Sequence, residues 1–269
     1  MNIPTDPIPT APRFSIAMVN YKTCEMTRAC LELLREQLVG LDVPVWVVDN
    51  NSADDSTDYL RSLDWINLLE RVQPAGEAGH IAHGKALDMI LERIDTDYIL
   101  LMHTDTFIYK PEVFSLLLDM ITKNPNTAAA GCYEQLDRGL VRTAWRFSSR
   151  YCKHHYRRMA RALGLSAREP KPWKETHLKS FCTLWNAKAM KHRGLHFCMD
   201  DRVPGYTLQD RMVASGFSIA TLSAHRLFKY LDHIQSGTVA ARGTYGKDHR
   251  RTRMYDHALA RLHHKTVGT

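Results

Sequence analysis

The sequence predicts an α/β domain with a mostly parallel sheet flanked by helices. Three observations carry the prediction. Short apolar runs with β-branched members recur through the first half, stretches of helical periodicity separate them, and polar clusters follow the runs directly. Runs that are apolar throughout suit strands buried on both faces. Strands joined through helices imply right-handed crossovers and parallel pairing.

Phe14-Ser-Ile-Ala-Met-Val19 reads as the first strand, and Thr23 to Leu38 as a helix with Met26, Ala29, Cys30, Leu33, Leu34 and Leu38 on one face. Val43-Pro-Val-Trp-Val-Val48 is the second strand, with Pro44 near its start, where a missing N–H is tolerated. A helix follows over Ser56 to Leu63, then a third strand over Ile66 to Val72. Gly76 to Gly84 reads as a glycine-containing loop leading into a helix over Lys85 to Arg93. Tyr98-Ile-Leu-Leu-Met102 is a fourth strand. Pro111 opens the next helix at its favoured early position, and Ala128 to Cys132 supplies a further short strand.

The chain has 269 residues and a formal net charge of +7. No stretch approaches the roughly 18 uninterrupted apolar residues of a spanning helix. The first twelve residues are proline-rich, without a basic start or an apolar core, and read as a flexible tail rather than a signal peptide. A single domain is expected over residues 13–240, with a ligand-binding half at 13–130 and a mixed half at 131–240. Residues 241–269 form a basic C-terminal tail or helix. The six cysteines are scattered with no CxxC pair, which argues against a zinc knuckle and suits reduced thiols in the cytoplasm. The positive charge is concentrated between Arg138 and Arg193 and again between Arg242 and Lys265. That distribution suits an anionic partner as well as a solvated basic face.

In open parallel sheets, ligands bind at the carboxyl ends of the strands. Three polar clusters fall there: Asn20-Tyr21, Asp49-Asn50-Asn51-Ser52, and His103-Thr104-Asp105-Thr106. Asp49 can accept hydrogen bonds from a base or ribose, or it can cap the helix after it. Asp105 is a hard oxygen ligand suited to Mg²⁺ or Mn²⁺ on a diphosphate, or again a cap. The loop through Gly79 and Gly84 can turn backbone N–H groups and a helix N-terminus towards phosphate. It matches neither a P-loop nor G-x-G-x-x-G, which argues against ATPase and dehydrogenase chemistry. His80 and His83 sit at ligand spacing for zinc but lack a third ligand beside them.

Together these segments resemble the family-2 glycosyltransferases of GT-A fold. Ile16-Ala-Met-Val-Asn-Tyr21 resembles the family's first strand and polar exit, which places Asn20 and Tyr21 at the nucleotide sugar. Val47-Val-Asp-Asn-Asn-Ser-Ala-Asp-Asp-Ser56 is similar to the V-D-N-x-S-x-D-x-[ST] element, implying nucleotide binding by Asp49 with Asn51 and Ser52. Gly79 to Gly84 resembles the loop along the donor, adding Gly79 and His80. Asp97-Tyr-Ile-Leu-Leu-Met-His-Thr-Asp-Thr106 resembles the strand ending in D-x-D or N-P-D-T. The metal ligand of that motif is then Asp105, with His103 in the first acidic position and Thr104 between them. Tyr230-Leu-Asp-His-Ile-Gln-Ser-Gly-Thr238 resembles the late H-x-x-x-[SG] element, which makes His233 a second metal ligand. Arg211-Met-Val-Ala-Ser-Gly216 fits the R-x-x-x-x-G ending of the helix that follows the family's acidic pair. The pair available is Asp200-Asp201, farther upstream than the common spacing, and Asp210 lies on the helix. Asp201, then Asp200, then Asp210 are the candidate bases.

The resemblance implies transfer of a sugar from a nucleotide diphosphate donor to an acceptor hydroxyl by metal-assisted, inverting displacement, with Mn²⁺ or Mg²⁺ as cofactor. The acceptor expected is a glycan or lipid-linked glycan of cell-surface polysaccharide or lipopolysaccharide synthesis. The enzyme would be peripheral on the inner membrane face, reaching an anionic surface through Trp145–Lys174 and the C-terminal tail. No nucleic-acid module pattern appears. Alternatives are a catalytically silent GT-A domain that binds saccharide or scaffolds, and a sugar nucleotidyltransferase, whose basic glycine-rich loop is replaced here by Asn20-Tyr-Lys-Thr23.

Overall fold

The structure is a computed structural model that describes residues 14–135, 140–234 and 260. The tail assigned to residues 1–12 and nearly all of the basic segment 241–269 lie outside the described residues.

Seven strands form the main sheet: β1 (Phe14–Asn20), β2 (Val45–Asp49), β3 (Asn67–Glu70), β4 (Tyr98–His103), β6 (Thr127–Gly131), β7 (Cys182–Asn186) and β8 (Ser218–Thr221). Their order is β3-β2-β1-β4-β7-β6-β8. The first four pair in parallel, as do β6 and β8, while β7 runs antiparallel to both β4 and β6. A separate ladder pairs β5 (Thr106–Ile108) with β9 (Leu231–His233) in antiparallel register.

Helices cover both faces. On one, α1 (Cys24–Gln37) and α4 (Glu112–Thr122) bury Met26, Cys30, Leu34, Val113, Phe114 and Leu117 against Ile16, Met18 and Leu100. On the other, α3 (Gly79–Arg93) and α7 (Tyr206–Ala214) bury Ala86, Leu87, Ile90, Leu208 and Met212 against Ala17, Val48 and Trp185. Strand residues alternate between these two cores, which is why β1, β2 and β4 are apolar at nearly every position. Between these lie α2 (Asp55–Arg61), α5 (Leu140–Ala162), α6 (Ala187–His192) and α8 (Ala224–Leu227). Among the described residues, no helix is long and apolar enough to cross a membrane.

The start of α3 differs from the sequence reading. The helix expected from Lys85 already begins at Gly79, so Gly79 to Gly84 is helical rather than looped. Glycine costs a helix interior about 1 kcal/mol relative to alanine, which disguised these turns. Packing overrides that cost: Ala82 and Gly84 are buried, and a Cβ on Gly84 would meet the Cys198 Cβ at 2.9 Å and the Pro204 Cγ at 3.1 Å.

Candidate metal and nucleotide site

The carboxyl ends of β1 and β2 are knitted together by side chains. Asn20 is fully buried, and its Nδ2 lies 2.8 Å from the Asp49 Oδ1, 3.0 Å from the Ser52 Oγ and 2.8 Å from the Ser56 Oγ. Its Oδ1 accepts from the Thr27 hydroxyl at 2.7 Å. The other oxygen of Asp49 accepts from the Ser52 amide at 3.2 Å and the Thr57 hydroxyl at 3.0 Å. The Ser52 hydroxyl also accepts from the Lys22 amide. This network holds Lys22, Asn51 and Ala53 at φ values of 54°, 62° and 50°. Such left-handed conformations cost non-glycine residues about 1–3 kcal/mol each and persist only where the surroundings enforce them.

Beside the network lies a cavity of ≈ 720 Å³. Of the residues singled out from the sequence, Tyr21, Gly79, His80, His103, Thr104, Asp105 and His233 line it. Asn20, Asp49, Asn51 and Ser52 do not. Asp49 points into the network, while the next residue, Asn50, reaches the cavity wall. There its side-chain oxygen accepts from the Arg71 Nη1 at 2.9 Å. Arg71 in turn holds both oxygens of Glu77 at 2.8 Å, and Lys85 donates to the same carboxylate at 2.9 Å. Burial works against the charge of Glu77, yet hydrogen bonds from Lys85 and Arg71 keep its pKa below the usual carboxylate range.

The floor is made by β4, β5 and β9. Asp105 follows β4, and the β5–β9 ladder sets Thr106 opposite His233. The amide of Ile234 donates to the carbonyl of Asp105 at 2.9 Å. The His233 Nε2 stands 3.1 Å from the Asp105 Oδ1, and the His103 Nδ1 stands 3.8 Å from that same oxygen. The ligand atoms of His103, Asp105 and His233 all lie within 4.8 Å of one another, a separation at which one cation can be shared. His233 stacks on Phe181 with ring centroids 4.4 Å apart and planes tilted by 12°. Both of its ring nitrogens are buried without a hydrogen-bond partner, so the approach to Asp105 lacks hydrogen-bond alignment. Orphaned nitrogens in a buried imidazole are costly, and a bound cation would satisfy the one that faces Asp105. The residues therefore fit a divalent ion. His103 places its other nitrogen, Nε2, 2.9 Å from the Ser180 hydroxyl, the outer contact that orients a ligating imidazole.

His83 meets His103 edge-on, with centroids 5.5 Å apart. Burial pushes the pKa of His83 down to about 4 and that of His103 to about 3, with the Asp105 charge opposing both shifts. At neutral pH both rings are uncharged, the form that binds metals. Among the described residues, His80 and His83 belong to no group of three or more side chains placed to hold a metal. The His80 Nε2 contacts the carbonyl of Asp201 at 3.1 Å instead.

None of the three candidate bases lines the cavity, although Val203 and Pro204 of the same segment do. Asp200 pairs with Arg211 at 3.1 Å. Asp210 contacts the His177 Nε2 at 2.9 Å and Arg202 at 2.7 Å. Partial burial raises the Asp210 pKa, but these two contacts outweigh it and the net shift is downwards. The carboxylate of Asp201 has no hydrogen bond or ion pair among the described residues, and its backbone is held at φ 49° next to Asp200 at φ 55°.

Several lining residues were given no role at the nucleotide sugar by the sequence: Asn50, Gln73, Glu77, His83, Gln135, Lys179 and Ser180. Lys179 and Ser180 precede β7, whose antiparallel course brings its start beside the carboxyl end of β4. A Lys-Ser pair ahead of an apolar run was the available signal, but it has no meaning without that direction.

A profile described as glycosyl transferase family 2 matches residues 15–190. A search of curated proteins finds no match. Among solved structures, the chain is similar to a mannosyltransferase from Pyrobaculum calidifontis in complex with GDP-Man and Mn²⁺. The identity is 14%, the TM-score 0.55, and the match covers 95% of this chain and 71% of that one. Weaker likenesses are TarS from S. aureus (14% identity, TM-score 0.49, 93% and 70% covered) and glucosyl-3-phosphoglycerate synthase from Mycobacterium tuberculosis with Mn²⁺, UDP and phosphoglyceric acid (13%, 0.48, 79% and 69%).

Proposed function

The chain belongs to glycosyl transferase family 2, and on that premise we propose that it moves a sugar from a nucleotide diphosphate donor to an acceptor hydroxyl with inversion. The observation that carries this reading is the His103–Asp105–His233 group at the floor of the cavity. The similar mannosyltransferase holds GDP-Man and Mn²⁺, and the same ligand classes are proposed here.

His103, Asp105 and His233 would hold the divalent ion, whose charge stabilises the departing nucleoside diphosphate. Lys179, on the cavity wall, adds a second cation for the same anion. Tyr21 and Asn50 line the cavity at the ends of β1 and β2 and contact the nucleoside, with Thr104, Gly79 and His80 along the donor. Asp49, Asn20 and Ser52 act through them: their network fixes the turn from which Asn50 projects, and Asn51 sits exposed in that same turn. Asp201 is the proposed base, because Asp200 and Asp210 are both paired with cations. It takes the acceptor proton as the hydroxyl attacks, once the segment after Cys198 has closed over the donor. The acceptor proposed is a lipid-linked glycan of cell-surface polysaccharide or lipopolysaccharide synthesis, presented at an anionic membrane face by Trp145–Lys174.

A thermal-shift screen of nucleotide diphosphates and sugar nucleotides, with and without Mn²⁺, tests the reading. A true ligand at a hundredfold excess over Kd stabilises by about 2.7 kcal/mol. No Mn²⁺-dependent shift with any nucleotide would overturn it. One observation favours a second reading, a silent saccharide-binding domain: no candidate base reaches the cavity wall. Donor binding without turnover on any acceptor would select it.

A further inference from the structure

Helix α5 carries an apolar stripe that the fold leaves in solvent. Trp145, Tyr156, Met159 and Leu163 are 75%, 71%, 66% and 72% exposed, and Cys152 is exposed beside them. Leu163 directly follows the helix, and its amide donates to the carbonyl of Met159, so it continues the same turn. At about 100° per residue these five side chains fall within about 60° of one another, a face some five turns long on which Ser148 and Ser149 lie between Trp145 and Cys152. Isolated exposed apolar residues are ordinary, but a contiguous stripe marks a contact surface.

The flanks are cationic. From Trp145 to Lys174 the chain holds nine Lys or Arg residues against a single acid, Glu169. Arg146 and Arg150 are spent on Glu134 and Glu175. Lys153 borders the stripe on one side. On the other, Tyr151 packs between His155 and Trp173, with ring centroids 4.2 and 5.4 Å away, and Lys174 sits 4.6 Å over the Trp173 ring. Aromatic residues interleaved with cations along an apolar ridge have the chemistry of a helix lying in a bilayer interface. A nucleic-acid backbone would satisfy the cations and leave the ridge in water.

We propose that α5 lies in the interface of an anionic bilayer, with the Trp145–Leu163 ridge among the acyl chains and the flanking cations on the headgroups. The inference rests on the glycosyltransferase reading only for its consequence, that the acceptor is lipid-linked. The helix is braced against the cavity edge. Arg146 donates to the Glu134 carboxylate and the Gln135 carbonyl, both at 2.9 Å, and Glu175 ties Arg150 to Lys179. Gln135 and Lys179 line the cavity. A lipid headgroup beside α5 therefore stands next to residues tied to the cavity lining.

The test uses the full chain with phosphatidylcholine vesicles and vesicles containing 30% phosphatidylglycerol, without donor or metal. Sedimentation should rise at least tenfold on the anionic vesicles and fall as salt is added. Lipids brominated in the acyl chain should quench tryptophan fluorescence in the wild type and not in Trp145→Phe. The triple variant Tyr156→Ser, Met159→Ser, Leu163→Ser should lose anionic-vesicle binding while keeping the wild-type nucleotide thermal shift. Equal sedimentation on the two vesicle types, or no Trp145 quenching, would overturn the proposal. So would a stripe variant that binds vesicles normally but dissociates a dimer seen by size exclusion. Vesicle binding in a chain that shows no nucleotide shift would leave this inference standing and sink the glycosyltransferase reading alone.

Discussion

Asp49 and Asp105 each lie at the carboxyl end of a strand in one parallel sheet, yet their surroundings assign them different work. Asp49 is saturated by neutral donors, with Asn20 on one oxygen and Ser52 and Thr57 on the other. Nothing in that arrangement calls for an added ligand. Asp105 instead faces two imidazoles, and the nearer one has both nitrogens buried without a hydrogen bond. A carboxylate whose nearer imidazole lacks hydrogen-bond partners is a place where a cation would complete the structure. On the proposed function, the contrast separates a scaffold from a ligand site where the residue type is the same.

The largest effect expected is at the second carboxylate. Asp105→Ala should abolish Mn²⁺-dependent nucleotide binding and nearly all turnover. Unchanged Mn²⁺-dependent affinity by calorimetry would mean that the imidazoles alone suffice, and the contrast would fail. Next comes the base. Asp201→Asn should retain nucleotide affinity and lose about 10²–10⁴ in kcat. Near-normal turnover in this variant, beside a dead Asp200→Asn or Asp210→Asn, would transfer the role.

At the scaffold carboxylate the readout should be stability. Asp49→Ala strands buried donors at a cost of about 1–3 kcal/mol each. A melting temperature several degrees lower should accompany weaker nucleotide binding, whether or not metal is present. A variant with wild-type stability and weakened binding would make Asp49 a direct contact. Gly84→Ala should act more locally. Its Cβ would press on Cys198 and Pro204, an overpacking worth about 1–3 kcal/mol, and should lower kcat more than donor affinity by displacing the segment that holds Asp201. The smallest effect concerns metal choice. Two imidazoles and one carboxylate suit Mn²⁺, whereas Mg²⁺ prefers an oxygen shell. Calorimetry should show Mn²⁺ binding at least tenfold tighter than Mg²⁺, and His103→Asp should narrow that ratio.

The parts legible in the sequence were those set by local pattern. The apolar runs of β1, β2 and β4 announced strands buried on both faces, and Asp105 announced itself by following one of them. The parts that stayed hidden depend on contacts between distant segments. Strand β7 is a five-residue run whose partners, β4 and β6, are far off in sequence, and nothing local sets its direction. The exchange of Asn50 for Asp49 at the cavity is of the same kind. Side-chain direction is plain within a strand but not in the turn after it, where Asn51 and Ala53 take left-handed conformations. The early start of α3 was masked by its two glycines, which propensity disfavours and packing against Cys198 rewards.

The ladder between β5 and β9 has a consequence for how the protein assembles. It joins Thr106 to His233, 127 positions later in the chain (233 − 106). Contacts of such long range are slow to close, because the intervening loop entropy must be lost first. The sheet strands β1 to β4 are complete by His103 and can pair before that closure. His233, the third ligand of the proposed metal site, arrives only when nearly all of the described chain has been made and docked. On the proposed function, metal affinity would be a signal of completed folding: a chain cut before Leu231 could retain most of its sheet and would still lack the imidazole proposed to close the site.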